Sequence, residues 1–298
     1  MKKLTRCTVC QSSDLHPYLE VRDHFLTGES FSILTCRQCE CGLTDPRPDP
    51  DELGNYYQSR AYISHSASSR GITNKVYLLA RLRTLRKKYK LVRSFSKKAS
   101  GSILDVGCGS GEFLYFLKKR KWETRGIEID ETTRMGAMKK YLLQIGGSDL
   151  LKDLPDQSQH VVTFWHSLEH IADLHGTLNQ VKRILRADGV LFIAVPNYTS
   201  QDAAEYGSHW AAWDVPRHLY HFTPITMDYL TGNHGMSIRH VIPMKLDAYY
   251  VSVLSERYRY GRVNYLRAFR NGWRSNQYAR THANTFSSLL YVIDPENA

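Results

Sequence analysis

From residue 101 onward, apolar and polar residues follow two alternating patterns. Short apolar runs such as Ser102–Val106 and Val190–Val195 are typical of buried strands, whereas Asp173–Leu185 carries apolar residues at helical spacing. Strands that alternate with helices predict a parallel sheet covered by helices on both faces. We therefore expect a doubly wound α/β fold over residues 101–298.

The same two patterns predict the other elements of this region. A strand is expected over Thr124–Asp130, a helix over Thr223–Gly235, and the last two strands over Ser237–Pro243 and Ser287–Ile293. The segment between those last strands, about residues 247–285, is rich in tyrosine and arginine. It predicts a helical insertion over the mouth of a site.

Residues 1–50 differ from the rest of the chain because they carry two Cys-x-x-C pairs. Cys7 with Cys10 and Cys36 with Cys39 can place four thiolates around one zinc ion, which is tetrahedral in structural sites. Cys41 is an alternative fourth ligand, although the two-residue spacing favours Cys39. A segment with so few apolar residues would take its folding energy from metal binding, so we predict a small zinc-ribbon-like module. The alternative is four buried cysteines without a metal.

Residues 51–100 are expected to form a helical linker or lid. They follow Asp45–Pro50, whose prolines predict a stiff extended linker, and they contain a long basic helix predicted over Val76–Phe95. A basic run on a helix is most often a solvated face.

Charge and hydropathy narrow the picture further. The 298 residues include 40 basic and 29 acidic side chains, and the formal net charge of +11 favours an anionic partner. The apolar run Val190–Val195 is far too short for a membrane helix, and the first residues lack a secretion signal. We therefore predict a cytoplasmic protein with reduced thiols and no membrane span. Composition leaves the oligomeric state open.

Three glycines follow the strand Ser102–Val106 at every second position: Gly107, Gly109 and Gly111. Glycine at a strand-to-helix turn lets a ligand come close to the backbone. A dinucleotide-binding turn would need glycine at position 112, where the chain has Glu112, and a carboxylate there opposes a pyrophosphate. A cofactor without phosphate is therefore favoured. Glu128 is the first candidate to hold its ribose hydroxyls, and Asp130 is the second.

The pieces "LDVGCGSG", "GIEID", "LPDQSQHVVTFWHSLEHIAD" and "VKRILRADGVLFIAVPN" resemble the motifs of class I S-adenosylmethionine-dependent methyltransferases, in that family's order. The resemblance covers about residues 101–197 and implies a Rossmann-like sheet whose final strand is antiparallel. It also implies that the three glycines back the methionine part of the cofactor, that Glu128 holds the ribose and that Asp149 lies near the adenine. Asp105 and His166 are expected in the same cofactor site. One departure is Gln159-His160, which stand where the family usually has Phe-Asp.

Methyl transfer to a hydroxyl needs a base, and histidine is the usual choice near neutral pH. His218 and His221 are three residues apart, which would place them on one face of a helical turn, and they are the first candidates. His166 is the next candidate. Arg217 could hold a substrate anion or lower the pKa of a neighbouring histidine. The alternative is that both loop histidines only make structural hydrogen bonds.

The piece "LEH" around Glu169 and His170 is similar to ubiquinone-type O-methyltransferases, in which an acid–histidine pair is linked to a divalent metal. His166 stands where those enzymes often carry an acid, and this difference disfavours a second metal here. On that interpretation His170 caps a helix or packs against its neighbours.

The acceptor is the least constrained part of the prediction. Phe164-Trp-His-Ser replaces the Asn/Asp-Pro-Pro-aromatic element of enzymes that methylate exocyclic amines, so amine methylation is disfavoured. Among relatives, an N-terminal zinc module occurs in enzymes that methylate nucleotide-linked sugars. We predict O-methylation of an anionic small molecule or sugar, with C-methylation of a sugar left open. The alternative is an RNA-binding or RNA-methylating protein.

The insertion and the loop Ser208–Pro224 are expected to form the acceptor pocket, with tryptophan faces holding a ring.

Overall fold

A computed structural model describes the backbone of residues 1–57 and 72–296, and all their side chains except those of residues 50, 51 and 72–80. Within these ranges the strands are β1 (Leu15–Arg22), β2 (Ser30–Cys36), β3 (Gly42–Asp45), β4 (Ser102–Val106), β5 (Glu123–Ile127), β6 (Gln144–Gly146), β7 (Gln159–Trp165), β8 (Leu185–Pro196), β9 (Tyr220–His221), β10 (Met236–Pro243) and β11 (Ser288–Pro295). The helices are α1 (Pro50–Leu53), α2 (Ile72–Ser96), α3 (Glu112–Lys118), α4 (Glu131–Tyr141), α5 (Leu150–Asp153), α6 (Leu174–Ile184), α7 (Gln201–Tyr206), α8 (Pro224–Gly232), α9 (Asp247–Tyr260) and α10 (Tyr265–Thr281).

The larger sheet has seven strands in the order β10-β11-β8-β7-β4-β5-β6. Strands β4 to β8 pair in parallel, whereas β11 lies antiparallel to both β8 and β10. The predicted doubly wound sheet with an antiparallel final strand is confirmed. The chain leaves β4 towards β5 on one side and returns to β7 on the other. The carboxyl ends of β4 and β7 therefore flank the crevice where such sheets bind ligands.

Capping residues determine where several predicted elements begin and end. The Asp130 carboxylate accepts a hydrogen bond from the Thr133 N–H at 2.7 Å, so this residue starts α4 and β5 ends earlier than predicted. Asp173 and Thr223 cap α6 and α8 in the same way. The predicted helices therefore begin one residue later than their sequence patterns suggest.

The smaller sheet has the order β1-β2-β3-β9, and all its neighbouring strands are antiparallel. Its fourth strand comes from the loop that follows α7, and it pairs His221 with Gly42 and Tyr220 with Leu43. Buried side chains of this sheet belong to the same apolar cluster as those around the main sheet. The zinc-ribbon-like module predicted for residues 1–50 therefore shares a sheet with the region that follows it.

The proline-rich stretch Asp45–Pro50 is anchored along its length. The Leu4 N–H donates to the Asp45 carboxylate at 2.7 Å, and the Arg47 guanidinium donates to the Leu219 carbonyl at 2.7 Å.

The long helix α2 packs through Val92, and its basic residues Arg83, Arg86 and Lys87 are exposed, as expected for a solvated face. Residues 58–71 of the predicted lid lie outside the described residues. None of the described helices combines the length and the hydropathy that a membrane-spanning helix requires.

The predicted insertion forms a helical hairpin of α9 and α10. Buried Glu256 of α9 accepts a hydrogen bond from the Arg267 guanidinium of α10 at 2.8 Å. The Ser275 hydroxyl donates to Asp202 at 2.6 Å and attaches α10 to α7. Through α7 the hairpin is fixed to the segment that follows β8.

Candidate functional site

The three glycines of the turn after β4 all have positive φ, but they are required for different reasons. A Cβ at Gly107 would overlap the Ser167 side chain, and a Cβ at Gly111 would lie 2.7 Å from Leu143. A Cβ at Gly109 would meet no atom within 4 Å. Gly107 and Gly111 therefore allow close packing, whereas Gly109 borders open space in which a ligand can approach the backbone.

Glu128 lies beside this open space. Its carboxylate accepts hydrogen bonds from the Gly109 N–H at 2.9 Å and from the Asp130 N–H at 3.0 Å. Burial raises the pKa of Glu128, while these backbone donors favour its charged form. A carboxylate beside a glycine turn with open space fits an S-adenosylmethionine site. The Glu128 carboxylate can accept hydrogen bonds from the ribose hydroxyls, and the turn leaves room for the cofactor.

Asp105 is buried at the end of β4 and accepts a hydrogen bond from the Thr163 hydroxyl at 2.6 Å. Burial raises the pKa of Asp105 to about 6. Lys88 of α2 lies nearby, and its Nζ is 4.3 Å from the centre of the Trp165 ring. Burial lowers the pKa of Lys88 to about 8, although the charges of Asp105 and Asp247 act in the opposite direction. The sequence prediction missed Lys88, since nothing in the basic run distinguishes this lysine from its exposed neighbours.

Asp149 is at the N-terminus of α5, three residues after the end of the short strand β6. Its side chain is exposed, and its charged partner is Lys152 at 3.6 Å. The carboxyl end of β6 lies next to that of β5, where Glu128 follows. The role of Asp149 near the adenine stays a prediction.

His166 follows β7 in a left-handed conformation, with φ of 56°. Its Nε2 lies 3.1 Å from the Asp247 carboxylate of α9, and its Nδ1 lies 3.7 Å from Glu169. Burial opposes the charged ring, but the two carboxylates outweigh it and raise the pKa of His166 to about 10. An imidazolium at neutral pH donates hydrogen bonds and cannot accept a proton, so this geometry favours an anchoring role over that of a base.

His218 comes close to the acid–histidine pair that follows His166. Its Nδ1 donates to the Ala212 carbonyl at 2.9 Å, which leaves Nε2 facing the acid–histidine pair. Nε2 is 3.9 Å from both Glu169 and Asp214, and the His218 and His170 ring centres are 4.6 Å apart. The Leu219 N–H donates to the Glu169 carbonyl at 2.8 Å and fixes the loop in this position.

Glu169 is completely buried, yet both of its carboxylate oxygens lack a hydrogen-bond partner among the described residues. Burial opposes its charge, but the surrounding histidines lower the pKa of Glu169, while burial lowers that of His170 to about 4. One ligand atom from each of Glu169, His170 and His218 lies within 4.8 Å of the other two. An ionised acid and neutral imidazoles fit a divalent cation. The sequence disfavoured a metal here because His166 stands where related enzymes often carry an acid. It could not predict that His218, from a distant loop, lies close enough to be the third ligand.

The predicted helical turn that would pair His218 with His221 is wrong. His221 belongs to strand β9, is only 4% exposed, and its Nε2 lies 3.0 Å from the Thr44 hydroxyl. Burial lowers the pKa of His221 well below its usual value. This environment lies where the two sheets join and supports the structural alternative for His221, so its catalytic role stays a prediction.

Two other expectations for this loop are wrong. Arg217 is 1% exposed and bonded to Asp23 at 2.8 Å and to Asp214 at 2.7 Å, so its guanidinium is not available to a substrate anion. Trp210 and Trp213 are equally buried and border a small cavity against β1 and the turn that follows it, too small for a sugar ring. The loop instead uses these large side chains to hold itself against the hairpin and the ribbon.

The four predicted zinc ligands come together in the N-terminal module. The sulfurs of Cys7 and Cys39 are 3.6 Å apart, those of Cys10 and Cys36 are 3.4 Å apart, and all four lie within 4.8 Å of one another. Tetrahedral zinc with bonds of about 2.3 Å separates its sulfurs by roughly 3.8 Å, so the set fits zinc. The Cys41 thiol points to the Gly42 carbonyl at 3.2 Å and lies outside the cluster.

Comparison with known proteins agrees with this geometry. Residues 77–241 match the family model described as a methyltransferase domain. The malonyl-[acyl-carrier protein] O-methyltransferase of Yersinia pestis is 27% identical over 144 residues, covering 46% of this chain and 51% of that protein. The ubiquinone biosynthesis O-methyltransferase of Pseudomonas syringae pv. tomato is 29% identical over 107 residues, covering 33% and 46%. The chain spans about half the length of the curated relatives that it matches.

Solved structures show the same fold. Geranyl diphosphate C-methyltransferase from Streptomyces coelicolor superposes with a TM-score of 0.54 at 12% identity, over 83% of this chain and 99% of that one. Magnesium protoporphyrin IX methyltransferase from Synechocystis has the same score at 11% identity, over 83% and 100%. The family model covers more than half of the residues, so the chain belongs to the class I S-adenosylmethionine-dependent methyltransferases.

Proposed function

We propose that the chain transfers the methyl group of S-adenosylmethionine to a hydroxyl of an anionic small molecule or sugar. The observation that carries the proposal is the contact between the turn after β4 and Ser167, two residues before Glu169 of the Glu169–His170–His218 cluster. Ser167, which precedes that cluster, packs on Gly107 and donates its hydroxyl proton to the Val106 carbonyl at 2.5 Å. In this proposal the cofactor and the acceptor would therefore be held side by side.

On the cofactor side, Glu128 would accept hydrogen bonds from the ribose hydroxyls and Gly109 would leave room for the methionine part. Asp105 lies at the carboxyl end of β4, and the ammonium of Lys88 lies over Trp165 at the carboxyl end of β7, so the two supply one charge of each sign. These charges suit a zwitterionic amino acid, since its carboxylate and its ammonium need opposite partners.

On the acceptor side, the attacking oxygen must lose a proton as the carbon–oxygen bond forms and the carbon–sulfur bond breaks. His218 is the best-placed group to take that proton, because the Ala212 carbonyl occupies its Nδ1 and its Nε2 faces the cluster. A divalent cation held by Glu169, His170 and His218 would lower the pKa of the acceptor hydroxyl instead. In both cases, most of the catalysis comes from holding the acceptor in line in a dry pocket.

The acceptor is assigned by class only. The net charge of +11 supports an anionic molecule, and the two relatives named above are O-methyltransferases. RNA is less favoured, because the exposed basic residues of α2 behave as a solvated helix face. The four cysteines would hold one structural zinc that folds the ribbon against β9.

A screen with methyl-labelled cofactor tests this function. Purified protein is offered nucleotide sugars, phenols and total RNA, each with Mg²⁺ and with EDTA. We expect label on an oxygen of a sugar or phenol. Label that appears only in RNA would replace this function with the RNA alternative. Cofactor binding without transfer to a broad set of hydroxyl compounds would contradict it.

A further inference from the structure

The outer face of α10 carries large apolar side chains that are open to solvent. Leu266 is 86% exposed, Phe269 64% and Trp273 49%. Their spacing along α10 places all three on one side of the helix, opposite the buried residues Ala268 and Ser275. Exposed apolar residues gathered in this way mark an interaction site, since scattered single residues are the rule elsewhere on a soluble surface.

The charge around this face has a single sign. Between residues 248 and 293 the chain has seven arginines and one acidic residue, Glu256. Glu256 is fully buried and bonded to Arg267, and α10 itself has no acidic residue, so the exposed surface of α10 carries no carboxylate. Arg270, Arg274 and Arg280 lie beside the apolar residues on α10 and are exposed. We call Leu266, Phe269, Arg270, Trp273, Arg274 and Arg280 the hairpin face.

We propose that the hairpin face docks the protein on the surface of an anionic phospholipid bilayer. Amphipathic helices that lie in a bilayer interface combine apolar and aromatic side chains on one face with flanking lysine or arginine. Leu266, Phe269 and Trp273 would enter the boundary between headgroups and acyl chains. The arginines would meet lipid phosphates, and each arginine near an anionic surface strengthens binding by about fivefold.

The composition of the face favours lipid over RNA. Single-stranded RNA is bound by stacking on aromatic rings and by arginine, and the most exposed apolar residue here is Leu266, which has no ring for stacking. An aliphatic side chain gains most from an apolar medium.

The position of the hairpin gives the docking a consequence for the site. The helix α9 begins at Asp247, whose carboxylate lies 3.1 Å from His166 at the carboxyl end of β7. The hairpin therefore connects the mouth of the site to the bilayer surface. The docking itself does not depend on the proposed acceptor, so it can hold or fail separately from the catalytic proposal.

Vesicle flotation of the full chain tests the proposal. Wild-type protein should float with vesicles of phosphatidylcholine mixed with phosphatidylglycerol and should bind pure phosphatidylcholine vesicles weakly. Arg270→Glu with Arg274→Glu should weaken binding by roughly 25-fold or more, the product of about fivefold for each arginine. Leu266→Glu with Phe269→Glu should abolish flotation, because charged residues cannot enter the apolar layer.

Matched controls separate this face from general charge and folding. Lys139→Glu with Lys140→Glu makes the same charge change on α4, and Ile225→Glu alters another exposed apolar residue, on α8. Both controls should float like wild type, and all variants should bind S-adenosylhomocysteine with unchanged affinity by calorimetry. Equal losses in the controls and the hairpin variants would overturn the proposal.

A second measurement uses Trp273, which is 49% exposed. Mixed vesicles should shift the tryptophan emission to the blue in wild type and not in Trp273→Phe. Failure of wild type to float on anionic vesicles would refute the docking. Loss of RNA binding in the hairpin variants, with vesicle binding unchanged, would assign the face to RNA.

Discussion

The chain holds two clusters of metal-ligand side chains that differ in chemistry and in origin. Cys7, Cys10, Cys36 and Cys39 form a closed set of four sulfurs from two short motifs. Glu169, His170 and His218 form a mixed set of one carboxylate and two imidazoles, joined across a long stretch of chain. Four sulfur ligands leave zinc no open position, whereas three oxygen and nitrogen ligands leave room for a substrate atom. We therefore propose a structural role for the first cluster and a catalytic role for the second.

The largest expected effect is on the sulfur cluster. Cys36→Ser should lose the zinc and unfold β1 to β3, because zinc contributes about 10–16 kcal/mol to the folding of small zinc modules. Elemental analysis should find one zinc per chain in wild type. Cys108→Ser changes a cysteine outside the cluster and should keep the metal. Retention of zinc in Cys39→Ser together with its loss in Cys41→Ser would show that Cys41 is the fourth ligand in place of Cys39.

The mixed cluster should respond in turnover rather than in folding. Glu169→Gln and His218→Ala should each lower turnover by about 10²-fold or more, the usual scale for a lost general base. Affinity for S-adenosylhomocysteine should change little, because the cofactor turn keeps its contacts. Kinetics with and without Mg²⁺, Mn²⁺ and EDTA would show whether the cluster works as a metal site or through His218 alone.

His221→Ala is the matched comparison for His218→Ala. The His221 side chain is hydrogen-bonded to the Thr44 hydroxyl inside the smaller sheet. His221→Ala should therefore lower the melting temperature, while turnover stays close to that of wild type. A dead enzyme with unchanged stability would instead restore His221 as a catalytic base. Normal activity in both variants would mean that transfer needs no base from this loop.

The cofactor turn offers a smaller and more local test. Gly109→Val places a branched side chain in the open space beside Glu128 and should weaken S-adenosylhomocysteine binding by roughly 10- to 100-fold, a typical overpacking cost. Gly207→Val is a matched control, because Gly207 also has a positive φ and open space around its Cβ position. The control also places a branched side chain at a residue with positive φ and should keep its affinity. Equal affinities in both variants would place the cofactor elsewhere.

The sequence predicted features whose residues are neighbours in the chain. The glycine turn, Glu128 after the next strand and the two cysteine pairs follow from local spacing, and the sheet follows from alternating patterns. It could not predict the pairing of His218 with Glu169, which depends on how the loop folds, or the burial of Arg217 against Asp23. Lys88 was missed for the same reason, since only the packing of α2 brings it to Trp165.

The smallest expected effect concerns the contact that joins the mixed cluster to the hairpin. The Asp247 and Glu169 carboxylates raise the pKa of His166 to about 10, above its usual value near 6.5. A raised folded-state pKa gives stability that is fully present below about pH 6.5 and is lost as the pH rises through about 10. Asp247→Asn should therefore lower the melting temperature at pH 6 to 7 and converge with wild type above about pH 10. His166 is 36% exposed, so solvent screening should keep the effect below about 1 kcal/mol.

A double-mutant cycle with His166→Gln isolates the interaction between His166 and Asp247, because Asp247→Asn should have no pH-dependent effect once the imidazole is gone. A difference that persists in that background would assign the stability to another partner of Asp247, and Lys88, which feels the charge of Asp247, is a candidate.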